Sequence, residues 1–218
     1  MILQTLPKIL KDMKEKGNNK INAAKLYKIY TDNWIKREER KNKTLIKKSD
    51  KEFFCKEIAF ELYCSDTPTL SYKKFPETIK KHFSHIQRIE DIDYFTHDIQ
   101  SCSFLTSDMS GEFKFIHRSF MEYFVAELVV NKLYKLSPNN EDVFVDNLNS
   151  IIGNTYFSSD ICFFINDIVE TLKNNKFYTF LIAYERLNEI SQSNLVSIFS
   201  KTQENMAEFL LKYNVSNS

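Results

Sequence analysis

One histidine of this chain, His117, lies where a short alternating segment meets an aromatic helix. Residues 113–126 read Phe-Lys-Phe-Ile-His-Arg-Ser-Phe-Met-Glu-Tyr-Phe-Val-Ala. Because successive side chains of a strand point to opposite faces, we expect Phe113, Phe115 and His117 to share one side of the segment. An imidazole titrates near neutrality and can donate a hydrogen bond to a phosphate. His117 is therefore the first candidate for chemistry.

The residues after His117 predict a helix. Ser119 and Glu122 have the spacing of a capping box, in which the serine accepts from a backbone N–H and the glutamate reaches back to the cap residue. Apolar residues then recur at helical spacing, and these are Phe120, Met121, Phe124, Val125, Leu128 and Val129. The pattern predicts a helix with one buried face.

This segment closely resembles the end of the winged-helix domain in NACHT-type signal-transduction NTPases. In that family a Phe-x-His-x-Ser/Thr-Phe-x-Glu-Tyr/Phe-Phe-x-Ala string recurs. The matching positions here are Phe115, His117, Ser119, Phe120, Glu122, Tyr123, Phe124 and Ala126. The N-terminal region is similar to the family's first helical domain, with Pro7 and Leu10 in a Pro-x-x-Leu helix start. A Leu-Tyr-x-x-Tyr-x-x-x-Trp helix follows at residues 26–34.

The resemblance implies roles for two residues. In the family, the matching histidine contacts the β-phosphate of ADP and holds a closed, inactive arrangement, which assigns His117 to nucleotide binding. The family's proline at the start of the first helical domain packs near the adenine, which assigns Pro7 to nucleotide binding as well. The alternative for His117 is a buried structural histidine that is bonded to a backbone carbonyl. The alternative for Pro7 is a purely conformational role, because proline is common in the first turn of any helix.

Nucleotide hydrolysis needs a phosphate-cradling loop with several glycines beside a Lys-Ser/Thr pair. The glycines of this chain are Gly17, Gly111 and Gly153, and each fits a turn or a helix end instead. We therefore expect no enzyme activity and no catalytic residue in this chain by itself. ADP or ATP is expected only together with a P-loop core, joined in cis or in trans, and none is expected for the isolated chain. A homo-oligomer on activation is a further expectation from the family.

The fold class predicted is mainly α. We divide the chain into a first helical domain at 1–66, a winged-helix domain with a small two-stranded wing at 67–137, and a C-terminal helical bundle at 138–218. Within the second domain, Pro76 opens a helix, residues 89–99 form another, and strands are expected at about 102–107 and 112–116. The linker Ser137-Pro138-Asn139-Asn140 precedes about four further helices, including one at 159–172.

The composition, 43% hydrophobic and 27% charged, is typical of an intracellular globular protein. No apolar run is long enough to span a bilayer, and no signal peptide is recognisable, so a cytoplasmic location without membrane contact is expected. The four cysteines lack zinc-ligand spacing, so we expect reduced, mostly core cysteines and no metal.

The functional hypothesis is the regulatory portion of a NACHT-like switch NTPase, which senses nucleotide state and oligomerises, in prokaryotic antiphage defence signalling. The alternative is a stand-alone helical and winged-helix module that binds a protein partner or nucleic acid. The basic run at residues 36–43 invites a nucleic-acid interpretation. Two glutamates interrupt that run, however, and the helix after His117 is acidic and aromatic, which argues against nucleic acid.

Overall fold

A computed structural model of the 218-residue chain describes residues 22–40, 46–65, 69–83, 89–102, 104–135 and 157–172. The described elements, in chain order, are α1 (Ala23–Arg40), α2 (Lys48–Cys64), β1 (Leu70–Ser71), α3 (Phe75–His82), α4 (Ile89–Cys102), β2 (Leu105–Ser107), β3 (Glu112–Phe115), α5 (Arg118–Lys135) and α6 (Ser159–Glu170). Helices dominate and the strands form one small sheet, so the prediction of a mainly α protein is confirmed. No helix in the described ranges is long and apolar enough to cross a membrane.

The chain divides into two compact units, residues 1–128 and 129–218. The first unit contains α1 to α4, the sheet and the first part of α5. In the second unit, α6 begins at Ser159, where the helix at 159–172 was predicted, and Ser158 caps it by accepting from the Ile161 N–H at 3.3 Å. The other predicted C-terminal helices lie outside the described residues, and the division into three domains stays a prediction.

The sheet has three antiparallel strands in the order β1-β3-β2. Leu70 of β1 pairs with Phe113 of β3, and Leu105 of β2 pairs with Phe115 on the other side. The hairpin of β2 and β3 lies where the wing was predicted, but its first strand begins at Leu105 because α4 continues through Cys102. Strand β1 was not predicted, because a strand of two residues shows no alternation. From α2 to β3 the order of elements is a helix, a strand, two helices and a hairpin.

The turn of the wing depends on Gly111 and Asp108. Gly111 has φ of 79°, a left-handed conformation that glycine adopts without the steric cost of a Cβ atom. The Asp108 carboxylate accepts from the backbone N–H groups of Ser110 and Glu112, at 2.9 and 3.1 Å. These bonds stabilise the turn between β2 and β3.

Aromatic side chains form the core that joins α2, α3 and α4. Phe54 of α2 lies with its ring centroid 6.2 Å from Phe75, 6.1 Å from Phe83 and 6.0 Å from Phe95. Phe75 also contacts Phe113 of the sheet, at 5.0 Å in an edge-to-face arrangement. Aromatic pairs in such geometries stabilise a fold beyond the area they bury, by about 0.5–1.5 kcal/mol each.

Helix α5 is the central helix of the first unit. Residues 120–126 are all buried, and seven consecutive positions cover every face of two helical turns. Phe120 packs on Tyr27 of α1, and Phe124 contacts both Phe104 and Phe115. The prediction of one buried face was therefore wrong, because α1 covers one side of this helix and residues next to and within the sheet cover another.

Candidate functional site

His117 lies between the last residue of β3, Phe115, and the first residue of α5, Arg118. Phe113 and Phe115 are buried as predicted, but the imidazole of His117 is exposed. The strand ends before His117, so the alternation that places Phe115 inside does not extend to the histidine. The expectation that His117 continues the apolar face was wrong for this reason, and the exposed imidazole also does not fit the alternative of a buried structural histidine.

His117 itself caps helix α5. Its backbone carbonyl accepts from the Phe120 N–H at 3.0 Å, and its Nδ1 atom accepts from the Ser119 N–H at 3.3 Å. A side-chain acceptor for an N–H of the first turn is what an N-cap residue supplies. The predicted capping box of Ser119 and Glu122 is not formed, because the helix begins one residue before Ser119.

The side chains of Arg118 and Glu122 bind each other. The Arg118 Nε atom donates to a Glu122 carboxylate oxygen at 2.9 Å, one helical turn away. Glu122 is buried, whereas the Arg118 side chain is 70% exposed. The pair satisfies the buried carboxylate and holds the Arg118 guanidinium against the first turn of α5.

Ser119 connects His117 to a tyrosine of another helix. The Ser119 hydroxyl oxygen lies 2.7 Å from His117 Nδ1. The hydroxyl of Tyr27, in α1, donates to the same Ser119 oxygen at 2.6 Å. Three side chains, from α1, the β3–α5 junction and α5, are thus joined by two short hydrogen bonds.

Packing between α1 and α5 places the Tyr27 hydroxyl at Ser119. The Tyr27 ring lies 5.1 Å from Phe120 and 5.4 Å from Tyr123. One residue further along α1, Lys28 lies 4.0 Å from the carboxylate of Glu127. The ring contacts of Tyr27 and the ion pair of its neighbour Lys28 therefore fix the tyrosine relative to α5.

Neither Tyr27 nor Ser119 was predicted to be a site residue. The residue types gave a weak signal, because serine is frequent at the start of any helix and tyrosine is frequent on helix faces that pack partly against a core. Their contact joins residues 92 positions apart in the sequence, and packing alone brings them together.

Pro7, the second predicted site residue, lies outside the described residues, so its position near the adenine stays a prediction. Among the residues that the structure does describe, no group of three His, Cys, Asp or Glu side chains could hold a metal ion. The imidazole of His117 can bind an anion through a ring N–H.

Comparisons with known proteins give one informative match. The chain is 28% identical, over 127 residues, to an uncharacterized WD repeat-containing protein of Nostoc sp. (strain PCC 7120). The matched segment covers 58% of this chain and spans only 8% of the length of that relative. No protein-family model matches the chain, and no solved structure matches it at a significant level.

Proposed function

We propose that this chain is the regulatory portion of a NACHT-like switch NTPase, in which His117 senses the bound nucleotide. The observation that carries the proposal is the exposed imidazole at the start of α5, engaged through Nδ1 so that the opposite ring nitrogen is left to meet a ligand. A hydrogen bond to a charged phosphate contributes about 1.5–3 kcal/mol. That range corresponds to roughly 10- to 150-fold in ADP affinity.

The mechanism is a shift between two populations. ADP held by a P-loop core contacts His117 and stabilises the closed state of the complete protein. Exchange for ATP removes that contact, so the winged-helix domain is released and the protein oligomerises. The ligand acts only through its different affinity for the two states. In a prokaryotic cell, antiphage defence signalling is the setting that we propose.

The Nostoc relative supports a role within a larger protein. It is named for its WD repeats, which form propeller blades, and the matched segment is a small part of its length. A segment of this size inside a long chain fits a module that regulates other domains.

The charge of α4 favours this function over binding to nucleic acid. In a winged-helix protein that reads DNA, the helix before the wing takes the position of the recognition helix. Here that helix is α4, on which Glu90 and Asp93 are exposed and which contains neither lysine nor arginine. Phosphate groups repel such a helix.

The first test requires the P-loop partner. Sequencing the DNA upstream of the Met1 codon shows whether a Gly-x-x-x-x-Gly-Lys-Ser/Thr segment is encoded in frame or in an adjacent gene. If such a segment is found in either place, the P-loop core and this chain together form the complete assembly that the next experiment uses. The absence of both contradicts the proposal.

In the complete assembly, His117→Leu should weaken ADP retention roughly 10- to 150-fold and raise basal oligomerisation, because the phosphate contact is lost. Retention of labelled ADP after gel filtration is the measurement. His97→Leu is the matched control, because His97 is also exposed but lies on α4. Unchanged ADP retention in the His117→Leu assembly would show that the histidine does not sense the nucleotide.

A further inference from the structure

We infer that Tyr27 and Ser119 are positioning residues for His117, which hold its imidazole with Nδ1 as a hydrogen-bond acceptor and Nε2–H as the outward donor. The consequence for nucleotide binding rests on the proposed function. The arrangement of the three side chains rests on their geometry alone, so the two can be tested separately.

The directions of the hydrogen bonds follow from the groups involved. A backbone N–H can only donate, so the bond from Ser119 N–H requires a lone pair on His117 Nδ1. In a neutral imidazole the proton is then on Nε2. The Tyr27 hydroxyl donates to the Ser119 oxygen, which leaves the Ser119 hydroxyl proton to donate to the same Nδ1 atom.

The other arrangements of the ring lose hydrogen bonds. A proton on Nδ1 would face the Ser119 N–H, placing two donors against each other. A half-turn of the ring would bring a carbon atom to the position of Nδ1 and lose the bonds from both the Ser119 N–H and the Ser119 hydroxyl. The observed ring orientation therefore keeps both bonds to the imidazole, and it presents a donor to an anion such as the phosphate of a nucleotide.

The cluster also makes the state of His117 depend on helix α1. Tyr27 belongs to α1, whereas Ser119 belongs to α5, and the 2.6 Å bond between them fixes the rotation of the Ser119 hydroxyl. If α1 moves away from α5, the serine hydroxyl can rotate, and the imidazole loses one of its constraints. Tyr27 thus transmits the packing of α1 to the nucleotide-sensing residue.

Nitrogen NMR of the full 218-residue chain, labelled with ¹⁵N-histidine, tests the inference without any nucleotide. Spectra are recorded at an alkaline pH, where ordinary imidazoles are neutral. His117→Gln identifies the signals of His117, and the other three histidines serve as internal references. The expected wild-type spectrum has a protonated Nε2 and an Nδ1 resonance displaced toward that of a hydrogen-bonded acceptor.

Three substitutions then separate positioning from folding. Ser119→Ala should move the Nδ1 resonance toward the position of a free acceptor, and Tyr27→Phe, which keeps the ring, should move it less in the same direction. Ser119→Thr keeps a hydroxyl, so its Nδ1 resonance should stay at the wild-type position. Circular dichroism of each variant establishes that the helices are intact.

The inference is overturned if the wild-type His117 carries its proton on Nδ1, or if Ser119→Ala leaves the Nδ1 resonance in place. If the Ser119→Ala chain loses its helices, the test rests on Tyr27→Phe, and a folded Tyr27→Phe chain without the expected shift overturns the inference.

In the complete assembly, Ser119→Ala should reduce ADP retention roughly two- to twelvefold, which is the effect of one ordinary hydrogen bond. If His117→Leu leaves retention unchanged while the NMR shifts appear, the proposed function fails and the positioning stands. If His117→Leu weakens retention while the NMR shifts are absent, the function stands and the positioning fails.

Discussion

At the scale of single residues, two histidines of the first unit have opposite surroundings. The His82 side chain is 9% exposed, and its Nε2 atom lies 3.2 Å from the Glu61 carboxylate. His117 is exposed and bonded to a hydroxyl and a backbone N–H. Glu61 lies 21 positions before His82, on another helix, so the spacing of the two residues in the sequence does not indicate the pair. His82 fits a structural histidine, whereas a ligand-binding role for His117 stays a proposal.

The cysteines also differ by surroundings. Cys55 is fully buried, and burial raises the pKa of its thiol to about 12, against a smaller opposing effect of a hydrogen bond with the Phe104 backbone. Cys64 is exposed and Cys162 is half-buried, and within the described part of the chain none of these three forms a disulfide bond. The expectation of mostly core cysteines holds for Cys55 and not for Cys64. The side chain of Cys102 is outside the described set.

Thiol labelling tests this difference. In the native chain, Cys64 should react rapidly with a maleimide, whereas Cys55 should react only on unfolding, because the attacking thiolate is both inaccessible and disfavoured. Mass spectrometry of peptides after timed labelling gives the rate at each site. The urea-unfolded chain is the control, in which both thiols should react alike. Equal native rates at Cys55 and Cys64 would contradict the packing of α2.

At the scale of elements, a buried ion pair joins α2 to α4. Lys51 and Asp98 have side chains only 2% and 5% exposed, and their Nζ and Oδ1 atoms are 3.6 Å apart. The other Asp98 oxygen accepts from the Ile46 N–H at 3.0 Å, just before α2. Removing one partner of such a pair leaves an uncompensated buried charge, which is more destabilising than replacing both.

Lys51→Ala should therefore lower the free energy of unfolding by about 3–5 kcal/mol. The double variant Lys51→Met with Asp98→Asn should recover most of that loss, since it removes both charges and keeps an acceptor for Ile46. Urea unfolding followed by circular dichroism measures each value. Lys73→Ala, an exposed lysine, is the matched control. A Lys51→Ala loss no larger than that of the control would mean that the pair contributes little.

Ion pairs also fix the position of α1 relative to α2. Lys28 and Lys48 both approach the Asp32 carboxylate, at 3.4 and 2.7 Å. Burial alone would raise the pKa of Asp32, but the hydrogen bond from Lys48 and the charge of Lys28 outweigh it, so the pKa lies below 3.8. These contacts tie α1 to the start of α2, beside the helix face that carries Tyr27.

At the scale of the whole molecule, we expect the stability of the fold to depend on pH through carboxyl groups such as Glu61. The hydrogen bond with His82 lowers the pKa of Glu61 below 4.5; burial opposes this shift, and Lys81 adds to it. A carboxyl with a lowered pKa in the folded state contributes stability at pH values above its unfolded pKa. That contribution is lost as the pH falls through the folded pKa.

We therefore expect the free energy of unfolding to fall as the pH is lowered below 4.5, and Glu61→Gln to remove part of that dependence. Urea unfolding curves at a series of pH values give the slope for each chain. Glu77→Gln is the control, because Glu77 is an exposed glutamate of α3. Wild-type and Glu61→Gln slopes that coincide would show that the Glu61 contacts do not stabilise the fold.

The proposed function depends on a larger assembly. The chain forms two compact units, and its Nostoc relative is a much longer protein. A nucleotide switch needs a phosphate-binding core, for which His117 would be one contact among several. The nucleotide role, the P-loop partner and the defence setting stay proposals, tested by ADP retention in the complete assembly.

The sequence by itself determined several local features of the first unit, although not strand β1 or the cap of α5. Pro76 opens α3, Gly111 has the positive φ of the hairpin turn, and Phe54, Ile58 and Leu62 are buried on one face of α2. Each of these features depends on residues a few positions apart, through backbone conformation or helical spacing. Such short-range information is readable in a single sequence.

The tertiary structure alone decided the site. The exposure of His117, its contact through Ser119 with Tyr27, and the pairing of Lys51 with Asp98 all depend on residues brought together by packing. A hydrogen bond between side chains far apart in sequence requires an orientation within a few tenths of an ångström. Apolar periodicity specifies which face of a helix is buried, but it does not specify which polar atoms meet across that face.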